Sequence, residues 1–180
     1  MNRSSYYADN HETERLRTRF LTSDDAEVWK EFFMDQEAVK FFPMAIFDSH
    51  EESSRHWIER QLTRYAKQQY GMQALIDKQS NAFVGMCGLM TQTVDDIVEL
   101  EVGYHILKKY WGKGYAPEAA RLFIGYAFAH NLSGSVVSII DIENSNSQRV
   151  AEKNGLTREK QTQYMGLDVY LYRIFDKAFN

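Results

Sequence analysis

The sequence has the composition of an ordinary globular protein, and its charge and cysteine content exclude several classes. Its 180 residues fit one domain, and 44% hydrophobic with 26% charged residues is typical of a folded, water-exposed chain. A net charge of −4 argues against a nucleic-acid-binding protein and mildly favours cationic partners. The single cysteine, Cys87, excludes an internal disulfide and is typical of a reducing compartment, so we expect a cytoplasmic protein.

The N-terminal residues predict neither a leader nor a membrane anchor. Residues 1–7 lack the apolar run of a signal peptide, and no apolar segment is long enough to span a membrane. Residues 1–12 are polar, so we expect a flexible extension there and one domain over 13–180.

Hydrophobic periodicity predicts the secondary structure in chain order. A strand and two helices come first, followed by three strands, a helix, a strand, a helix and two final strands. The aromatic stretch 39–47 either packs under the second helix or lines a substrate pocket, and it is able to do both. This order indicates a single mixed α/β domain. The predicted bounds are 16–21, 26–35, 48–68, 71–77, 82–91, 97–107, 117–130, 135–142, 145–154, 156–164 and 168–175.

Residues 111–118, Trp-Gly-Lys-Gly-Tyr-Ala-Pro-Glu, lie between a predicted strand and a predicted helix. Glycines let the backbone approach a ligand, and the free amides of a first helical turn favour an anion. Pro117 suits the first helical position, where no amide donor is needed. The stretch therefore predicts a phosphate or pyrophosphate site. It fits neither a Walker loop nor a dinucleotide fingerprint, which would place Pro117 where glycine is required.

Two motifs resemble the GNAT superfamily of N-acetyltransferases. Gly114 and Ala116 fill the last two named slots of that family's coenzyme A loop, Gln/Arg-x-x-Gly-x-Gly/Ala, while Trp111 replaces the Gln or Arg. Residues 144–156 are similar to the segment Asn-x-x-Ser-x-x-x-x-Glu-Lys-x-Gly-Phe of the branch that includes Rim-type ribosomal-protein N-terminal acetyltransferases. The resemblance covers roughly residues 14–176. It implies a twisted, mostly antiparallel sheet with helices on both faces, in which two strands splay after a bulge to admit coenzyme A.

By this resemblance, the two motifs and the strand before them form an acetyl-CoA site. Backbone amides across 111–116 would hold the pyrophosphate, Asn144 would bind the pantetheine arm, and Ser147 would lie near the thiol. The charged side chains in the motifs either meet phosphates or are solvated. The predicted cofactor-binding residues are Ile106, Leu107, Trp111, Gly112, Lys113, Gly114, Tyr115, Ala116, Asn144, Ser147, Arg149 and Lys153.

The predicted catalytic residues are Glu101, His105 and Ser147. Strand alternation places Glu101 and His105 on one face of the strand, unless a bulge breaks the phase. By resemblance, Glu101 occupies a slot where related enzymes often carry the base that deprotonates the amine; the alternative is a glutamate that faces solvent or pairs with an arginine. The family's tyrosine acid corresponds to Ala151 here. The acid is therefore open between Ser147, a tyrosine such as Tyr164, and no protein group.

The resulting functional prediction is an acetyl-CoA-dependent N-acetyltransferase that transfers an acetyl group directly to a primary amine. The acceptor is open between a small molecule and a protein N-terminus, with Phe41, Phe42 and Met44 as its predicted contacts. The alternative is an acyl-CoA-binding sensor or structural protein without turnover. No metal is expected, because the other histidines of the chain, at positions 11, 50, 56 and 130, lack metal-ligand spacing. No nucleic-acid or membrane partner is expected either. A homodimer is compatible with the sequence.

Overall fold

A computed structural model describes residues 7–42 and 47–179, which form a seven-stranded sheet with helices on both faces. The strands follow the spatial order β1-β2-β3-β4-β5-β7-β6, and neighbours are antiparallel except for β4 and β5. The strands are β1 (Leu16–Arg19), β2 (Met72–Asp77), β3 (Phe83–Val94), β4 (Ile97–Ile106), β5 (Ser135–Asp141), β6 (Thr157–Tyr164) and β7 (Leu167–Phe175). The helices are α1 (Asp25–Met34), α2 (Gln36–Val39), α3 (His50–Ala66), α4 (Tyr115–Ala129) and α5 (Ser145–Lys153).

Each face of the sheet has its own hydrophobic core. On one face α4 packs against β3 and β4, and buries Phe123 with Ala119 and Ala127, which lie four residues to either side of it along the helix. On the other face α1 and α3 bury Trp29 and Trp57 with methionines of β2 and β3. Within the described residues, no helix has the length and hydropathy required to cross a membrane.

The start of α4 differs from the prediction. The helix begins at Tyr115 rather than Pro117, so the proline is its third residue. A proline costs no hydrogen bond there, because the first-turn amides have no intrahelical acceptor. The short helix α2 was not predicted; it begins where the Asp35 side chain accepts hydrogen bonds from the amides of Glu37 and Ala38.

The described part of the predicted N-terminal extension, residues 7–12, packs against the domain. Tyr7 is 1% exposed, and its hydroxyl accepts a hydrogen bond from the Leu89 amide at 3.2 Å. Glu12 forms an isolated β-bridge with Arg17. Residues 7–12 therefore contact the domain through one buried aromatic side chain and a β-bridge, and the flexibility expected for residues 1–12 stays a prediction.

The strands β4 and β5 diverge after a single pairing. Glu101 pairs with Val137, and just beyond this pair the Ser138 hydroxyl donates to the Val102 carbonyl at 2.9 Å. The β3–β4 ladder keeps one register throughout, so the expected bulge in β4 is absent. β5 instead pairs with β7 from Ser135 to Asp141, and a gap opens between the last residues of β4 and β5.

Candidate active site

A cleft of about 690 Å³ follows the gap between β4 and β5. One end lies against the glycine-rich turn before α4 and the start of α5. The other passes Glu101, where the two strands still pair, and reaches the side of α3. The splayed strands thus join the two sequence motifs in one elongated site.

The glycine-rich turn presents a row of unused backbone donors. The amides of residues 112–116 donate to no acceptor in the described part of the chain, while the Trp111 amide bonds to the Lys108 carbonyl. Gly112 and Gly114 have φ angles of +74° and +81°, which a residue with a side chain adopts only with strain. Free amides at the start of a 15-residue helix form a site for an anion such as a pyrophosphate.

Three side-chain contacts hold this turn in place. The Trp111 indole donates to the Ile106 carbonyl at 2.7 Å, which ties the turn to the end of β4. The Tyr115 hydroxyl donates to Asp77 at 2.7 Å, and this bond is the first cause of an Asp77 pKa lowered to about 2. Arg15 donates to the Lys113 carbonyl at 2.7 Å. Trp111 and Tyr115 therefore shape the cradle with their side chains.

At the start of α5, Asn144 caps the helix: its Oδ1 accepts from the Ser147 amide at 3.1 Å, so Nδ2 is the group that remains for a ligand. Across the gap, the Tyr104 hydroxyl donates to the Ser147 carbonyl at 2.9 Å. Burial raises the Tyr104 pKa well above its usual 10, so the phenol stays protonated.

Ten of the predicted cofactor-binding residues line the cleft, and two do not. Leu107 is fully buried beneath it, and its amide pairs with the Val84 carbonyl. Lys113 is exposed, with its ammonium over the Tyr110 ring at 5.2 Å. The ten lining residues are Ile106, Trp111, Gly112, Gly114, Tyr115, Ala116, Asn144, Ser147, Arg149 and Lys153.

Glu101 lies at the junction of the strands and belongs to a hydrogen-bonded chain. Its carboxylate accepts from Gln92 Nε2 at 2.8 Å, and the Gln92 carbonyl oxygen accepts from the Tyr164 hydroxyl at 2.8 Å. Burial raises the Glu101 pKa, while Gln92 and the Ile139 amide partly oppose that rise. A carboxylate with a raised pKa is better matched to proton abstraction near neutral pH than an ordinary one.

His105 shares the strand face of Glu101 but lies about 13 Å further along, at four residues of strand rise. Aromatic rings surround it, with centroids at 5.5 Å for Phe32, 5.3 Å for Phe42 and 5.7 Å for Trp57. Burial lowers its pKa to about 4. It is therefore neutral at physiological pH and a weak base. His105 is thus better suited to form part of the cleft wall than to accept a proton from the substrate.

The predicted acceptor contacts Phe41 and Phe42 both line the cleft. Phe42 packs edge-on against Trp57 at 4.9 Å. Met44 lies outside the described residues. The expectation that the stretch 39–47 both packs and lines a pocket therefore holds for Phe42.

Comparison with known proteins identifies the family. A model of the acetyltransferase (GNAT) domain matches residues 15–157. The chain belongs to the GNAT family of acetyltransferases. It is 29% identical over 171 residues to YkkB of Bacillus subtilis (strain 168), covering 93% of this chain and 95% of YkkB.

Solved structures share the fold of this GNAT acetyltransferase. A GNAT-family acetyltransferase from Bacillus anthracis matches with a TM-score of 0.75 at 27% identity, covering 92% of this chain and 98% of that one. RimJ from Mycobacterium smegmatis, in complex with CoA-disulfide, matches with a TM-score of 0.76 at 18% identity, covering 90% of this chain and 82% of RimJ. At that identity, the second match shows the fold alone.

The described part of this GNAT acetyltransferase contains no candidate metal site, because no three His, Cys, Asp or Glu residues are grouped so that they could hold a metal ion. Sequence reasoning missed Gln92 and Tyr104, whose positions depend on strand register and on the gap. It also missed Arg60 and Arg64 in the cleft wall, although their four-residue spacing placed them on one face of a predicted helix.

Proposed function

We propose that this GNAT acetyltransferase moves an acetyl group from acetyl-CoA to a primary amine by direct transfer in a ternary complex. The observation that carries the proposal is the row of five unpaired amides at 112–116, which leads through the strand gap to a buried carboxylate. An anion-binding turn joined to a base by one continuous cleft fits a substrate with a phosphate end and a reactive end. Family membership supports the same chemistry.

In this proposal the turn binds the pyrophosphate through backbone amides, with Arg149 and Lys153 as nearby cations. Both side chains are exposed at the cleft rim, where they meet an anion without a large desolvation cost. The Asn144 side-chain amide and the edges of β4 and β5 would hold the pantetheine arm. Ser147 marks the position of the thioester, beside the Tyr104 hydroxyl.

Glu101 is the proposed base. The transfer forms a carbon–nitrogen bond, breaks a carbon–sulfur bond, and requires the amine to lose a proton while the thiolate gains one. An alkyl ammonium has a pKa of about 10.4, so little free amine exists at neutral pH. Glu101 would take the proton, directly or through a water, and the chain through Gln92 to Tyr164 would hold the carboxylate in position.

The proton for the thiolate has a candidate that the sequence did not suggest. Tyr164 is hydrogen-bonded to Gln92, on the Glu101 side of the strand, whereas Tyr104 contacts the backbone of Ser147. Tyr104 is therefore the better-placed phenol for the leaving sulfur, and it replaces Tyr164 in our proposal. Solvent protonation is the simpler alternative, because a thiolate leaves readily.

The function is tested by incubating the purified protein with acetyl-CoA and a panel of amines that spans polyamines, aminoglycosides, amino acids and peptides. Release of CoA with a matching mass increase of one acetyl group on the amine is the expected result. Tight acetyl-CoA binding without release in any mixture would contradict an enzyme and support the sensor alternative.

A further inference from the structure

One wall of the acceptor end carries positive charge. Arg60, Gln61 and Arg64 line the cleft from α3, and the two arginines are one helical turn apart on the same face. Glu101 lies across from them and interacts electrostatically with Arg64. The overall negative charge of the chain therefore does not describe the local charge at this end of the cleft.

Arg64 lacks an ion-pair partner within 4 Å in the described residues, and its guanidinium donates a long hydrogen bond to the Tyr70 carbonyl at 3.4 Å. Burial and repulsion from Arg60 both lower its pKa from the usual 12.5, and Glu101 offsets them only in part. The Arg64 guanidinium, partly buried beside a second positive charge, is therefore stabilised by a bound anion.

Gln61 adds an unsatisfied donor to the same wall. It is 0% exposed; its Oε1 accepts from the Met72 amide at 3.0 Å, but its Nε2 donates to no acceptor in the described residues. A buried amide nitrogen without a partner costs free energy, but this nitrogen is itself covered, so Gln61 adds polarity to the wall without specifying the ligand.

We propose that the acceptor amine carries a carboxylate on the same molecule, bound by Arg60 and Arg64 while the amine faces Glu101. Glu101 and the two arginines thus match the two ends of an amino acid, or of a peptide N-terminus followed by an acidic residue. A polyamine fits less well, because its second ammonium would approach two guanidinium groups. This inference rests on the proposed function and specifies its substrate class.

The test compares acceptors that differ only in this charge. L-amino acids are assayed against their carboxamides, and tripeptides with Asp at the second position against the same peptides with Asn. A preference of at least about tenfold in kcat/KM for the charged member is expected in one series or in both. The series that shows it distinguishes a free amino acid from a peptide. The carboxamides are the weaker bases and contain more free amine, so this bias works against the expected result.

The Arg64→Gln variant should remove most of this preference, and Arg64→Lys should restore part of it, while the KM for acetyl-CoA stays unchanged. Arg55→Gln is the matched control, since Arg55 is an exposed residue of α3 that does not line the cleft. If the Arg64 variants do not fold, the wild-type preference alone decides. Equal turnover of charged and neutral members overturns this inference but leaves the proposed function standing. Acetyl-CoA binding with no CoA release from any member also overturns this inference, and the wider amine panel described above then decides the proposed function.

Discussion

The neutral His105 in its aromatic surroundings makes stability depend on pH in a predictable direction. Burial lowers its pKa from 6.5 to about 4, whereas in the unfolded chain the imidazole regains its ordinary pKa. Between these values the unfolded state binds more protons, so the free energy of unfolding falls as the pH drops from 6.5 to 4. Between a pH well above 6.5 and a pH well below 4, the free energy of unfolding falls by about 3 kcal/mol. At pH 5, about 2 kcal/mol of that stability is already lost.

Replacing the imidazole with a ring that does not titrate isolates this contribution. His105→Phe keeps a planar ring against Phe32, Phe42 and Trp57, and it removes the proton. Urea unfolding of both proteins at pH 8 and pH 5 gives two differences in free energy. On going to pH 5, the wild type should lose about 2 kcal/mol more than the variant.

The comparison uses the change with pH rather than either absolute stability, so any effect of the new ring on packing cancels. Two proteins whose stability declines in parallel between pH 8 and pH 5 would contradict the argument. Such a result would mean that His105 is solvated enough to protonate in the folded state, and it would return the imidazole to consideration as a base.

The remaining predictions concern the cleft. Gly114→Val should weaken acetyl-CoA binding at least about tenfold by calorimetry, while Gly134→Val, at a glycine outside the cleft lining where an added Cβ meets nothing within 4 Å, should not. Glu101→Gln should lower kcat by about 10²–10⁴-fold. The acidic limb of the wild-type kcat profile should lie above the usual carboxyl pKa of 4.5, because burial raises that pKa, and it should vanish in the variant. A wild-type kcat in Glu101→Gln across pH 6.5–9 would refute the base assignment. Tyr104→Phe should lower kcat, because the proposed acid for the thiolate is lost; a wild-type kcat with a raised KM for acetyl-CoA would leave the phenol a purely structural bond to the Ser147 carbonyl and favour protonation by solvent.

The sequence alone determined the order and type of most elements and the family, because these depend on local patterns. The hydrophobic periodicity of α4 and β4 and the glycines at 112 and 114 can be read from the sequence without knowing which residues are neighbours in the fold. The alternation in β4 also placed Glu101 and His105 on one face, which the structure confirms because the ladder to β3 has no bulge.

The tertiary structure decided which of those residues meet and what environment each one has. The Glu101–Gln92–Tyr164 chain depends on the register of β3 and β4 and on a turn near the end of the chain. The low pKa of His105 depends on helices α1 and α3 packing over it. Burial and long-range pairing are set by the whole fold, so the acceptor end of the cleft, with its arginines on α3, was hidden until the helix was placed beside the strand gap.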